Sequence, residues 1–111
     1  MKDQRKCFRN PLSFFSLVTD RDSGNVLGYL ENLSMEGALM IGNTFIRLGS
    51  ILALRCDLPK TFYNQKQLDL LSKVIWIKPD VEPGLYRIGL RLIKIKSSDL
   101  KVLEHIIKDY A

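Results

Sequence analysis

Apolar residues fall along this chain in short bursts, several alternating strictly with polar ones, and clusters of Asp, Asn, Ser, Gly and Pro separate the bursts. Side chains of an extended strand point alternately to its two faces, so this period-two pattern predicts strands. They are expected at 12–19 (LSFFSLVT), 26–33 (VLGYLENL), 37–42 (GALMIG), 50–58 (SILALRCDL), 67–78 (QLDLLSKVIWIK) and 85–95 (LYRIGLRLIKI). The turn chemistry of DRDSGN at 20–25 and KPDVEPG at 78–84 separates neighbouring strands. In the last strand Tyr86, Ile88, Leu90 and Leu92 share one face and Arg87, Gly89 and Arg91 the other, which sets an inside and an outside. In the fifth, alternation puts Leu68, Leu70, Val74 and Trp76 on one face, while Ile75 and Ile77 make the second half apolar on both sides and call for a cover.

The pattern then changes period. In SSDLKVLEHIIKDY, Leu100, Leu103, Ile107 and Tyr110 recur at helical spacing with Val102 and Ile106 beside them, so residues 97–110 are expected to form a helix that supplies the cover. Ser97 or Ser98 can cap its start, Asp99 lies in the first turn, and Glu104 precedes Lys108 by four residues. The expected architecture is all-β with one C-terminal helix: a six-stranded antiparallel barrel, closed or nearly so.

Composition adds bounds. The chain has 111 residues, 46% hydrophobic and 26% charged, which suits one domain with one core. No apolar run approaches membrane-spanning length, and the charged start MKDQRKC is unlike a signal peptide, so a cytoplasmic location is expected. Cys7 and Cys56 lack metal or redox spacing and are expected as two thiols. The net charge of +5 is uneven: residues 1–9 carry +3, residues 10–60 carry −1 and residues 61–111 carry +3. The densest positive segment is therefore the first nine residues, which suits an anionic partner, although a solubilising tail has the same composition.

Little in the chain suggests catalysis. His105 falls with Lys101, Glu104 and Lys108 on the polar side of the predicted helix, no GxSxG, HExxH or Walker-type loop occurs, and the paired acids Asp20/Asp22 and Asp80/Glu82 sit in turn-like stretches. A binding module is expected, with no metal and no cofactor. Two features stand out: Arg5 and Arg9 in QRKCFRNPL, and Asn32, Ser34 and Gly37 in ENLSMEGA. Guanidinium groups pair by two parallel hydrogen bonds with a phosphate or with the O6/N7 edge of guanine, and an Asn amide with a Ser hydroxyl two residues on suits the remaining polar edge of a base. Gly37 suits a turn or a close backbone approach. Arg87 and Arg91 repeat the Arg-x-x-x-Arg spacing inside a predicted strand, but Pro11 distinguishes the first pair by favouring an extended chain just after it.

The order Arg5-x-x-x-Arg9, 22 intervening residues, then Asn32-x-Ser34-x-x-Gly37 resembles the PilZ domain family, bacterial receptors for cyclic di-GMP. SKVIWIK and YRIGLRL are similar to two later strands of that family, and the resemblance covers the chain from Arg5 to its end. It implies a single domain over 1–111, in which 1–11 is a flexible ligand-binding segment, 12–95 the barrel and 97–110 the helix. It also implies that Arg5 and Arg9 close over the nucleotide while Asn32 and Ser34 contact guanine and Gly37 allows the turn. Gln4, Lys6, Gly89 and Arg91 are further candidate contacts. Gln4 stands where many relatives carry another Arg, and Leu92 where an aromatic is frequent.

On this reading the chain is a receptor whose N-terminal segment orders on binding and whose altered surface is read by another protein. Phe62 and Tyr63 in PKTFYNQK, at 59–66, form a candidate contact patch. Two alternatives remain open: an adaptor of a pilus, flagellar or regulatory protein that binds no nucleotide, and a small barrel that binds single-stranded nucleic acid. The low aromatic content, 9%, ranks the last below the others.

Overall fold

The computed structural model describes residues 10–11, 14–59 and 65–110. Its elements are β1 (Asn10–Pro11), β2 (Leu17–Asp20), β3 (Val26–Leu33), β4 (Gly37–Gly42), β5 (Ile51–Asp57), β6 (Gln67–Pro79), β7 (Tyr86–Lys94) and α1 (Ser97–Tyr110). All pairings are antiparallel, and β2 to β7 close on themselves: β3 pairs with β2, then β5, β6, β7 and β4 follow, and β4 returns to β3. The expected six-stranded barrel with one C-terminal helix is the observed fold. The two-residue β1 is an addition, lying along β3 with Pro11 opposite Asn32 and Asn10 opposite Leu33.

The first predicted strand starts too early. Its ladder begins at Leu17, opposite Tyr29, and ends at Asp20. Just before it, the Ser16 hydroxyl donates to the Asp57 carbonyl and the Ser16 carbonyl accepts from Leu30, so the chain is held there by isolated bonds. Phe15 lies outside the ladder, its ring 5.6 Å from that of Tyr29.

Inward residues from every barrel strand merge into one core: Val18, Leu30, Leu33, Ala38, Met40, Leu54, Cys56, Leu68, Leu70, Val74, Ile88 and Leu90 are buried together. Each fully buried aliphatic side chain removes enough surface from water to contribute about 1.5–3 kcal/mol before entropic costs. The helix adds Val102, Leu103 and Ile106 to this core, and Leu103 lines a cavity together with Leu33, Leu70, Leu90 and Leu92, so α1 closes one mouth of the barrel. The opposite mouth is crossed by residues 43–50, which must pass β7 and β6 to reach β5. Phe45 meets Tyr86 edge-on at 5.7 Å, Ile46 packs on the core, and Gly49 N–H donates to the Val74 carbonyl.

A bulge corrects two expectations about β6. Val74 faces Leu90 and Trp76 faces Gly89, leaving Ile75 unmatched. An extra residue in one strand reverses the phase of everything beyond it. Trp76 therefore leaves the face of Leu68, Leu70 and Val74 and points outward, while Ile77 turns towards the core opposite Ile88. Ile75 stays 39% exposed, without the helical cover that strict alternation demanded.

Candidate functional site

A second bulge shapes the face that carries the Asn-x-Ser-x-x-Gly stretch. Leu30 faces Met40 and Asn32 faces Leu39, so Glu31 is the extra residue of β3. Leu30 and Leu33 both point into the core, and the intervening shift turns Asn32 outward. Asn32 is half-buried beside β1.

The register then defines a row across four strands on the outward-facing side of the sheet, in which Leu39 and Gly89 are buried and Asn32 and Trp76 are half-buried. Asn32 of β3 lies opposite Leu39 of β4, Leu39 opposite Gly89 of β7, and Gly89 opposite Trp76 of β6. Three inter-strand steps of about 4.8 Å make the row roughly 14 Å long between its end Cα atoms. Gly89 is buried beneath the indole: a Cβ added there would lie 2.2 Å from Trp76 Cε2. The ring thus reaches back along the row, with Lys78 Nζ 5.4 Å from its centroid. A neighbouring row runs from Gly37 to Arg91 to Lys73. Arg91 is exposed there, a cation one strand away from the hairpin turn.

Ser34 and Gly37 bracket that turn, which joins β3 to β4. Ser34 N–H donates to the Gly37 carbonyl at 2.8 Å, and Gly37 N–H returns to the Ser34 carbonyl at 3.3 Å. Ser34 is 6% exposed; its hydroxyl donates to the Gly37 carbonyl and accepts from the Glu36 and Gly37 amides, each at 3.3 Å. The turn is fastened to β7 by the Leu92 N–H, which donates to the Glu36 carbonyl at 2.7 Å. Close approach explains the glycine: a Cβ on Gly37 would stand 1.9 Å from the Leu90 carbonyl oxygen. The structure thus brings Asn32, Ser34, Gly37, Gly89 and Arg91 to one region of the barrel. Gln4, Arg5, Lys6 and Arg9 lie outside the described residues, as do Cys7, Phe62 and Tyr63.

Arg87, the other member of the competing arginine pair, is engaged elsewhere. Its Nη1 donates to Glu31 Oε1 at 3.1 Å and lies 3.5 Å from Asp80 Oδ1, so two carboxylates take up its charge. The shortest ion pair among the described residues was not anticipated from sequence. On the outer face of β5 and β6, Arg55 grips Asp69 through Nε–Oδ1 at 2.9 Å and Nη2–Oδ2 at 3.0 Å, with Arg21 3.7 Å away. The hydrogen bonds from Arg55 hold the Asp69 carboxyl below the usual carboxylate range against the opposing pull of partial burial, and the charges of Arg55, Arg21 and Lys96 act in the same direction as the bonds. Its signal in the sequence was two opposite charges on strands, but their register could not be read before the strands were paired.

Cys56 is fully buried, and burial, assisted by the charges of Asp69 and Asp57, pushes its thiol up to about 12, which keeps it protonated and unreactive. Among the described residues no three His, Cys, Asp or Glu side chains gather around a common point that could hold a metal ion, and no helix is long and apolar enough to cross a membrane. The site offers an amide, cations and one aromatic surface on a rigid sheet, which is equipment for holding a ligand.

The PilZ domain family model matches residues 3–109, and the chain belongs to that family. Three solved structures share the fold. The inhibitor of motility MotI/DgrA of Bacillus subtilis superposes with a TM-score of 0.69 at 19% identity over 96% of this chain and 51% of its own. YcgR of Escherichia coli in complex with c-di-GMP gives 0.69 at 15% identity over 91% and 43%. The PilZ domain of YcgR with c-di-GMP gives 0.67 at 14% identity over 97% and 92%. The chain thus spans about half the length of the first two. No curated protein matches it in sequence.

Proposed function

We propose that this chain is a cyclic di-GMP receptor without catalytic activity, in which Arg5 and Arg9 and the Asn32–Ser34–Gly37 stretch hold the same nucleotide. The observation that carries this reading is the pairing of β1 with β3. The arginine-bearing segment ends where β1 begins, and β1 lies against Asn32 and Leu33. A dianionic ligand over the Asn32–Leu39–Gly89–Trp76 row would have an amide at one end and an indole surface at the other, with Arg91 and Lys73 beside it. Two neighbours of the same fold were solved with c-di-GMP, which is consistent with this assignment. Ordering of the N-terminal segment over the bound ligand would rewrite the surface presented to a protein partner.

Calorimetric titration of the intact chain with cyclic di-GMP tests the proposal. Loss of one bidentate arginine contact costs about 1–3 kcal/mol, or roughly five- to 150-fold in affinity. Arg9→Lys is expected to weaken binding by that amount, because an ammonium cannot form the two-pronged contact. Arg87→Ala is expected to leave affinity nearly unchanged, since that guanidinium is committed to Glu31 and Asp80. The opposite ranking of the two variants would overturn the assignment, and absence of binding by the unaltered chain would favour an adaptor that uses no nucleotide.

A further inference from the structure

The inward line of β6 reads Leu68, Leu70, Ser72, Val74, so one hydroxyl interrupts an otherwise apolar series. Ser72 is 2% exposed, and among the described residues its Oγ is a buried side-chain atom with no hydrogen-bond partner. Leaving a buried hydroxyl unpaired is costly, and proteins commonly relieve such a cost with an internal water. The local backbone is irregular as well: Leu71 faces Lys94 and Ser72 faces Leu92, which leaves Ile93 as an unmatched residue of β7. Bulges of this kind loosen the ladder beside them.

Next to Ser72 lies the cavity beneath the Ser34–Gly37 turn. Its walls include Ser34, Gly37 and Ser72 together with Leu33, Leu92 and Leu103, and it leaves about 10 Å3 in which the centre of a water molecule can sit. That is close to the smallest space that holds a single water. The two serines come from different elements, Ser72 from β6 and Ser34 from the hairpin turn. The Ser34 hydroxyl makes one donated and two accepted contacts within the turn, all at 3.3 Å and longer than well-formed hydrogen bonds, so a water would have to share or replace one of them.

We infer that this cavity holds one internal water, bound by Ser72 Oγ and Ser34, which ties the hairpin turn to β6 through the interior of the barrel. Ser72 is then a positioning residue: it touches no external ligand and fixes the turn from behind. Both readings use Ser34, but this one concerns the inner side of the turn and its readouts need no ligand, so its failure can be told apart from failure of the nucleotide assignment.

High-resolution crystallography of the intact chain, together with Ser72→Ala and Ser72→Val, tests it. A solvent peak about 2.5–3.0 Å from Ser72 Oγ is expected in the unaltered chain. The peak should vanish in Ser72→Val, whose methyl groups occupy the space. Ser72→Ala should lower the unfolding midpoint by depriving the water of a partner, and should speed hydrogen exchange at the Ser34 and Gly37 amides about tenfold. A dry cavity with the Ser72 hydroxyl on a backbone carbonyl would overturn the inference. So would a raised midpoint in Ser72→Ala with unchanged exchange at the turn, the result expected if the hydroxyl were simply an unpaired group whose removal helps.

Discussion

Placing a methyl group on Gly89 tests the outer row most sharply, because it strikes the ring on which that row is built. A Cβ there would stand 2.2 Å from Trp76 Cε2, 2.3 Å from Nε1 and 2.7 Å from Cδ2. Non-bonded heavy atoms settle at about 3.5–4.0 Å, so the indole must lift by roughly 1.3 Å or swing aside. Crowding a packed contact costs about 1–3 kcal/mol, and a ring with one side facing solvent can tilt, which puts Gly89→Ala in the lower part of that range. With a urea dependence of about 1–3 kcal/mol per molar, a loss of about 1 kcal/mol lowers the unfolding midpoint by roughly 0.3–1 M. Trp76 is the chain's one tryptophan, so its emission reports the same event without labelling. The expected result is a red-shifted native-state emission together with a lower midpoint. An unchanged spectrum and midpoint would show that the ring does not rest on Gly89, and the row would lose its aromatic end.

Gly37→Ala should cost more, about 3 kcal/mol in urea unfolding, because the obstacle at 1.9 Å is the Leu90 backbone carbonyl and a barrel strand cannot swing out of the way; a loss under about 0.5 kcal/mol, the usual range for surface changes, would contradict the packing of β4 on β7. Asp69 predicts a pH signature. Its carboxyl is held below its unfolded value of about 3.9, so the stabilisation it contributes is fully present above that value and is lost as pH falls through the lower, folded one. The stability difference between the unaltered chain and Asp69→Asn should therefore be constant near neutrality and shrink in acid below about pH 4, and a difference that grew with acidity would refute the Arg55 fork.

Where one face of a strand is buried, alternation was enough to read the fold. Ile88 and Leu90 go into the core while Arg87 and Arg91 face outward, as their spacing requires, and the helix spans Ser97–Tyr110 as its periodicity indicates, although its first bond runs from Leu100 N–H to the Lys96 carbonyl, which puts Lys96 rather than a serine at the cap. Strict alternation failed at Ile75 and Glu31, where one extra residue reverses the phase. Nothing in the residue types of VIWIK or LENL marks such a bulge; it becomes defined only when the partner strand supplies the register. The consequence for the site is direct. Trp76, assigned to the interior by alternation, instead joins Asn32 on the outer row, so the spacing that suggested Asn32 and Ser34 gave no hint of their aromatic neighbour. The Ser34 hydroxyl was legible as polar chemistry, but its engagement within the turn depends on the hairpin that Gly37 permits.

The account rests on one nucleotide meeting both the N-terminal segment and the Asn32 face. Adding cyclic di-GMP to the isotopically labelled chain while following its backbone amides by NMR addresses this most directly. Saturable shifts at Asn10, at 32–37 and at 89–91, lost in Arg9→Ala, are the predicted outcome. Shifts confined to a different face of the barrel, or a response at 32–37 that survives in Arg9→Ala at full affinity, would contradict it.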